Sequence, residues 1–201
     1  GLSQFRNSVI IIFGPVGMDC LTGEDWLEGD RSMQYMGSKA RHAKELLPII
    51  LKNRKPGQWY VEPFVGGANM IDKVDGNRLG ADVHPHLICL LEAIRDGWTP
   101  PENVSEDVYN ELSERRLVDP ITAAVGFGCS FGGKFFGGYA RGKNRLGGWR
   151  NYAAETKRNL LKQAPRLCGV IFKNCSYQDL EIPQNSIIYC DPPYVGTTKY
   201  A

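Results

Sequence analysis

Residues 59–69, WYVEPFVGGAN, carry an apolar run into a glycine turn. A short apolar run that ends in glycines is typical of a buried strand. Gly66 and Gly67 would let the backbone approach a ligand closely, because glycine adopts conformations that other residues avoid. The next apolar run, RLGADV at residues 78–83, ends in an acid, Asp82, which could accept hydrogen bonds from a ribose diol or cap the helix that follows. The two runs predict two strands that are each followed by a candidate ligand-binding loop.

Strand and helix patterns alternate along the rest of the chain. Two further apolar runs predict strands, GVIFKN at 169–174 and NSIIYCD at 185–191. Apolar residues at helical spacing, together with Ser105 as an N-cap, predict helices over 39–51, over the stretch that holds Leu87, Leu90, Leu91 and Ile94, over 106–116 and over about 150–164. Strands separated by helices predict an α/β fold with a mostly parallel sheet.

The composition is that of an ordinary globular domain. The chain has 201 residues, of which 42% are hydrophobic and 23% charged. No apolar run approaches the roughly 20 residues that cross a bilayer, so we expect a cytoplasmic protein with no membrane partner. Six cysteines without a C-x-x-C pair indicate reduced thiols. His84 and His86 have no further ligands nearby in the sequence, so we expect no metal site.

A third junction of strand and loop has distinctive chemistry. The run IIYCDPPY, residues 187–194, ends in a carboxylate, two prolines and an aromatic ring. Pro192 and Pro193 have no N–H to donate and fix their own φ, so Asp191 and the carbonyl beside it are held rigidly. A planar amine could donate its two hydrogens to the Asp191 carboxylate and the Pro192 carbonyl while Tyr194 stacks on its ring. The motif therefore indicates a site for an aromatic amine.

Positive charge is concentrated in one segment. The formal net charge is +2, yet residues 131–150, FGGKFFGGYARGKNRLGGWR, contain basic residues and no acidic ones. The cations can meet phosphates, and the aromatic rings can stack on bases or wedge between them. The cations are Lys134, Arg141, Lys143, Arg145 and Arg150, and the rings are Phe131, Phe135, Phe136, Tyr139 and Trp149. Since a solvated surface loop can have the same composition, this basic segment alone leaves both interpretations open.

In their order along the chain, these motifs resemble those of the Dam-like, D12 class N6-adenine DNA methyltransferases. The resemblance runs from about Gln34 to Tyr200 and includes YMGSK (35–39), EPFVGGAN (62–69), ADV (81–83), the basic segment, SYQDL (176–180) and DPPY (191–194). It implies the Rossmann-like sheet of the class I S-adenosylmethionine-dependent methyltransferases, with a small DNA-recognition insertion. It also implies S-adenosylmethionine as methyl donor and double-stranded DNA as partner, in a bacterial or phage-infected bacterial cell.

The resemblance gives a role to each motif. The cofactor would be bound by Tyr35 and Lys39 at its amino-acid end, Phe64, Gly66 and Gly67 at the bend, Asp82 at the ribose, and Val83 and Tyr177 at the adenine, with Asp179 as a weaker candidate. Methyl transfer would use Asp191, which also touches the cofactor, with Pro192, Pro193 and Tyr194. DNA would be contacted by Lys134, Tyr139, Arg141, Lys143 and Arg145.

The implied function is methyl transfer to the N6 amine of adenine in DNA, after the base has been flipped out of the duplex. Asp191 and the Pro192 carbonyl would hold the amine by electrostatics and orientation, without removing a proton before attack. Two alternatives remain open: a fragment that binds DNA or cofactor without turnover, and a methyltransferase that acts on RNA or on a protein amide. The aspartate of DPPY and the basic segment favour adenine in DNA.

The chain also divides into predicted regions. Residues 1–32 are interpreted as an extension or leader with a possible strand at Val9 to Phe13, residues 33–100 and 165–201 as a partial catalytic domain, and residues 101–164 as the target-recognition region. Enzymes of the family continue past DPPY, so we expect missing C-terminal strands and an unpaired apolar edge at SIIYCD, residues 186–191. A dimer, or a missing C-terminal partner chain, is the corresponding expectation for assembly.

Overall fold

The computed structural model describes residues 9–12 and 42–192, and a parallel five-stranded sheet lies at its centre. The strands are β1 Val9–Ile12, β2 Tyr60–Glu62, β3 Arg78–Asp82, β4 Val170–Asn174 and β5 Ile187–Cys190. They lie in the order β1-β5-β2-β3-β4, and every neighbouring pair is parallel. The predicted α/β fold is confirmed, and the sheet fits the Rossmann-like architecture of class I methyltransferases.

The described part of the chain also contains five α-helices. They are α1 Ala43–Ile50, α2 Pro85–Arg95, α3 Glu106–Arg115, α4 Pro120–Gly128 and α5 Tyr152–Gln163. Short 3-10 turns occur at Ile71–Lys73, Phe131–Gly133 and Ala164–Leu167. The predicted cap is confirmed, because Ser105 Oγ accepts a hydrogen bond from the Val108 N–H over 3.3 Å. Only α4 falls outside the predicted stretches.

Apolar side chains cover both faces of the sheet. The larger cluster contains the four predicted residues of α2 and further residues of α1, α4 and α5. The smaller cluster, on the opposite face, consists of Val61, Leu79, Ala81, Leu180 and Ile188. Because successive residues of a strand point to opposite faces, β2 and β5 each contribute to both clusters.

The expectation that β5 has an unpaired edge is wrong. β1 pairs in parallel with β5, from Val9 opposite Ile187 to Ile12 opposite Cys190. On its other side β5 pairs with β2, so it is an internal strand of the sheet. An apolar run can pair with any open edge strand, and the sequence pattern does not show which strand is its partner. Residues assigned to a leader therefore include the strand that covers this edge.

The region predicted to recognise the target packs closely on the rest of the domain. Ala123, Ala124 and Phe127 of α4 belong to the larger core cluster. A third cluster, formed by Tyr109, Val125, Cys129 and Ala153, joins α3, α4 and α5. The division into catalytic and recognition regions stays a prediction, since both share one core in the described residues.

Three expectations from composition can be compared with residues 9–12 and 42–192. No helix there is long and apolar enough to span a membrane. The cysteines at 89, 129, 168, 175 and 190 are free thiols, as predicted. No group of three or more potential metal ligands comes together in this part of the chain.

Candidate active site

The candidate site lies at the edge of the sheet where the parallel strands end. β2 runs into the glycine turn, residues 63–68; β3 ends at Asp82; β4 leads to Tyr177; and β5 leads to Asp191. Because the strands are parallel, these loops leave the sheet at the same edge, where open α/β sheets bind ligands. Segments that are far apart in the sequence are thus neighbours in the fold.

Asp82 is joined to the glycine turn by a hydrogen bond. The Gly66 N–H donates to Asp82 Oδ2 over 3.2 Å, and the His84 N–H donates to Asp82 Oδ1 over 3.0 Å. Burial raises the pKa of the Asp82 carboxyl above its ordinary value, and these N–H donors partly oppose that shift. Each carboxylate oxygen keeps a further acceptor site, so Asp82 can hold ligand hydroxyls without releasing the turn.

The glycine turn has an unusual backbone that contacts with β3 hold in place. Gly66 and Ala68 have positive φ values of 49° and 58°, and for alanine this region costs about 1–2 kcal/mol. The Val65 N–H donates to the Ala81 carbonyl over 2.8 Å. Gly80 makes this approach possible, because a Cβ at that position would lie 2.8 Å from Val65 Cγ2.

Exposed apolar and aromatic side chains follow β3 and β4 at this edge of the sheet. Val83 is 68% exposed and Tyr177 is 45% exposed. The Tyr177 ring packs against Phe64, with 5.4 Å between ring centroids. The Asn174 Nδ2 donates to the Asp82 carbonyl over 2.9 Å, which joins the ends of β3 and β4. An aromatic and an aliphatic surface at an open edge can accept a flat ring.

Glu62 is a potential site residue that the sequence reasoning missed. It is the last residue of β2 and is buried, and its Oε1 has no hydrogen-bond partner among the described residues. Burial raises the pKa of Glu62 to about 8, and the nearby Asp72 and Asp191 carboxylates act in the same direction. Its carboxyl group is therefore mostly neutral at pH 7. An acid at the end of an apolar strand, directly before Pro63, was the available signal.

Some of the predicted site residues lie outside the described part of the chain. These are Tyr35, Lys39, Pro193 and Tyr194. Asp191 and Pro192 follow β5 directly and are half-buried, whereas Asp179 is exposed. The described portion of the DPPY motif therefore stands at the same sheet edge as Asp82.

The basic segment contains a short hairpin, residues 143–149. Lys143 and Trp149 pair across an antiparallel bridge, and the Asn144 N–H donates to the Gly148 carbonyl over 2.8 Å. Asn144 Oδ1 accepts hydrogen bonds from the Leu146 and Gly148 N–H groups, each over 3.0 Å. Leu146 is 96% exposed, so the hairpin presents an apolar side chain to solvent. A side chain of the hairpin itself fixes the shape of its tip.

The basic side chains that are predicted to contact DNA differ in their interactions with other residues of the chain. Lys143 Nζ lies 5.5 Å from the centroid of the Trp149 ring. Arg145 is exposed, and Lys134 is half-buried. Arg141, in contrast, forms an ion pair with Glu106. Arg141 would have to share or break this pair in order to bind a phosphate.

Tyr139 has a structural role that its sequence position did not reveal. Its hydroxyl donates to the Val104 carbonyl over 2.8 Å, and its ring packs against Tyr109 with 5.4 Å between centroids. These contacts join the basic segment to the start of the recognition region. A DNA contact by Tyr139 stays a prediction.

The aromatic residues of the basic segment fall into two groups. Phe135 packs against the His84 ring, with 4.9 Å between centroids, and Phe136 lies 4.7 Å from Phe135. These two half-buried rings anchor the segment, and their stacking on bases stays a prediction. Phe131 and Trp149 are exposed and remain available for a partner.

Known proteins are similar in sequence to this chain. Residues 35–119 match the family of D12 class N6 adenine-specific DNA methyltransferases. The chain is also 29% identical, over 184 residues, to the DNA adenine methylases of Salmonella typhi and Salmonella typhimurium. The chain is therefore similar to these Dam methylases. The alignment covers 78% of this chain and 63% of each methylase, so the chain spans less than two thirds of the length of these curated relatives.

The resemblance read from the motifs is therefore confirmed. The segment that matches the family includes the glycine turn and Asp82, whereas the basic hairpin and Asp191 lie beyond it. The individual roles of these residues stay predictions.

Proposed function

We propose that this chain is the catalytic part of an enzyme that transfers a methyl group from S-adenosylmethionine to the N6 amine of adenine in double-stranded DNA. The observation that carries the proposal is the placement of Asp82, bound to the Gly66 N–H, at the same sheet edge as Asp191. The proposed ribose-binding acid, Asp82, and the proposed amine-binding residue, Asp191, then lie at the same edge of the sheet. The family match supports the same reaction.

The described residues fit the proposed cofactor. Asp82 has acceptor sites for two ribose hydroxyls, and the exposed Val83 and Tyr177 can flank an adenine ring. Gly66 allows close approach of the backbone, while Tyr35 and Lys39 would reach the amino-acid end. S-adenosylmethionine supplies an electrophilic methyl group on a sulfonium centre.

Asp191 and Pro192 are proposed to orient the adenine amine. The lone pair of this amine is delocalised into the ring, so the nitrogen is a poor nucleophile until its hydrogens are held by acceptors. The Asp191 carboxylate and the Pro192 carbonyl would accept those hydrogens, and the negative charge of Asp191 would favour the positive charge that develops on nitrogen. Pro193 would fix the backbone and Tyr194 would stack on the flipped base.

The basic segment is proposed as the DNA interface. Arg145, Lys143 and Lys134 would meet phosphates, with Arg141 joining them once Glu106 is displaced. Leu146 at the hairpin tip and the exposed Trp149 offer apolar surface for contact with bases. We expect such an enzyme to act in the cytoplasm, where bacterial DNA lies.

The test is methyl transfer from labelled S-adenosylmethionine to unmethylated duplex DNA, with cofactor binding measured by calorimetry on the same sample. We expect label at adenine N6. Asp191→Ala should reduce transfer by about a hundredfold or more, because it removes one of the two acceptors, while DNA affinity changes little. The matched control is Asp96→Ala, since Asp96 is exposed at the far end of α2.

Each outcome has a distinct meaning. Label in the Asp191→Ala reaction at the wild-type rate would overturn the assigned mechanism. Cofactor binding without any transfer by the wild-type chain would favour the non-catalytic binding fragment. If RNA and protein are offered as acceptors in parallel reactions, label on one of them and none on DNA would replace DNA as the substrate.

A further inference from the structure

We propose that Gln163, the last residue of α5, is a positioning residue for the cofactor-binding turn. Gln163 is fully buried, and its Nε2 donates to the Gly67 carbonyl over 2.9 Å and to the Ala68 carbonyl over 3.3 Å. α5 belongs to the region that the sequence assigns to target recognition, so no motif points to this contact. The inference rests on the proposed function, because the turn matters for catalysis only if the cofactor binds there.

The two carbonyls lie where the backbone of the turn needs support. They follow Gly66 directly, and Gly66 is the residue whose N–H holds Asp82. Ala68 has a φ of 58°, a conformation that alanine seldom adopts alone. The Ala68 carbonyl accepts from the Asp72 N–H over 3.2 Å as well as from Gln163. The amide of Gln163 thus holds two carbonyls of the turn, while the Gly66 N–H of the same turn binds Asp82.

Packing alone does not account for a glutamine at this position. Gln163 Oε1 is buried and has no hydrogen-bond partner among the described residues. A buried, unpaired amide oxygen costs roughly 1–3 kcal/mol. Methionine would fill a similar volume without that cost. What glutamine adds is the Nε2 donor, and both of its hydrogen bonds go to the glycine turn.

Two variants separate the donor from the shape of the side chain. Gln163→Met keeps the length and removes the donor. Gln163→Glu keeps the shape but can donate only when its carboxyl is protonated. A matched control is Leu160→Ala, which leaves a cavity one turn earlier on α5, at a fully buried residue. This control should lower stability without removing a hydrogen bond from the turn.

The first measurement is amide hydrogen exchange in the cofactor-free protein. Gln163→Met should accelerate amide exchange at residues 64–68 more than at other residues. Leu160→Ala should not accelerate exchange at residues 64–68 more than elsewhere. The second measurement is calorimetric binding of S-adenosylmethionine. Gln163→Met should weaken binding about tenfold, the effect of losing a net hydrogen bond or two. Gln163→Glu should bind weakly at pH 8 and approach the wild type at about pH 5.5, where burial favours the protonated acid.

The proposal is overturned if exchange at residues 64–68 is unchanged in Gln163→Met, and this result does not depend on whether the cofactor binds. It is also overturned if Leu160→Ala weakens cofactor binding as much as Gln163→Met, because the effect would then follow from stability alone. A wild-type chain that shows no cofactor binding would instead contradict the proposed function, while the exchange result would still decide the role of Gln163 in the turn.

Discussion

Glu62 lies beneath the candidate site at the end of β2, and burial has changed its acid–base chemistry. Its pKa is raised from 4.5 to about 8. The folded state therefore holds a proton on Glu62 that the unfolded state has lost over this pH range, so the contribution of Glu62 to stability is greatest at low pH and falls as the pH rises from about 4.5 to about 8. The linkage amounts to about 1.4 kcal/mol per pH unit.

Glu62→Gln should remove this loss of stability. We expect the variant to unfold at similar urea concentrations to the wild type at pH 5 but at higher concentrations at pH 8, because an amide cannot ionise. Urea unfolding at both pH values measures the effect. Glu114→Gln, at an exposed position on α3, is the matched control. Identical pH profiles for wild type and Glu62→Gln would contradict the raised pKa.

The residues of the site were predictable where their position in the sequence reveals the function. Asp82 and Gly66 stand directly after apolar strands, so their place at the ligand-binding edge follows from the pattern. The hydrogen bond between them could not be derived, because it depends on the close approach of β3 to the glycine turn. Gln163 was missed for the same reason, since its partners are distant in the sequence and ordinary helix residues surround it.

Among the elements, periodicity decided which helices could be predicted. The apolar residues of α2 recur at helical spacing, and all four predicted residues are buried. α4 is buried along nearly its whole length, from Thr122 to Gly128, and so has no polar face. A helix without a polar face gives no periodic signal, and its short apolar sequence cannot be distinguished from a strand.

The basic hairpin gives a test at the scale of an element. Arg145→Glu should weaken DNA binding severalfold and lower the slope of log affinity against log salt by about 1, because one phosphate contact is lost. Arg145 is preferable to Arg141 for this test, since reversal at Arg141 would also break the ion pair with Glu106. Binding is measured by fluorescence anisotropy across a salt series.

The control is Lys55→Glu, an equal charge change at an exposed residue before the start of β2. That residue lies at the edge of the sheet opposite the candidate site. Equal salt slopes for Arg145→Glu and the wild type would remove the hairpin from the interface.

At the scale of the whole molecule, most strands of the sheet were predicted, but the place of β1 beside β5 was not. The four strands β2 to β5 and their parallel arrangement follow from apolar runs separated by helices. The position of β1 in the sheet could not be predicted, because the sequences of two distant segments do not show that they pair. β1 has the apolar, β-branched composition of a strand, yet only the structure shows that it lies beside β5.

Removal of residues 1–32 should therefore destabilise the protein. We expect the free energy of unfolding to fall by about 2–4 kcal/mol, since each backbone hydrogen bond contributes roughly 1 kcal/mol net, and the uncovered edge of β5 should promote aggregation. Urea unfolding and light scattering measure the two effects. Removal of residues 1–8, which leaves β1 in place, is the control. Equal stability and scattering for both truncations would show that β1 is dispensable.

The pairing of β1 with β5 also determines when the sheet can be completed during synthesis. Val9 leaves the ribosome early, whereas its partner Ile187 is added only after β2, β3 and β4 have been made. Contacts between such distant segments close large loops and form slowly. Until then the apolar strand β1 is exposed in the nascent chain, where it can pair wrongly. Chaperones that bind short apolar segments are therefore expected to matter most for this protein before β5 emerges.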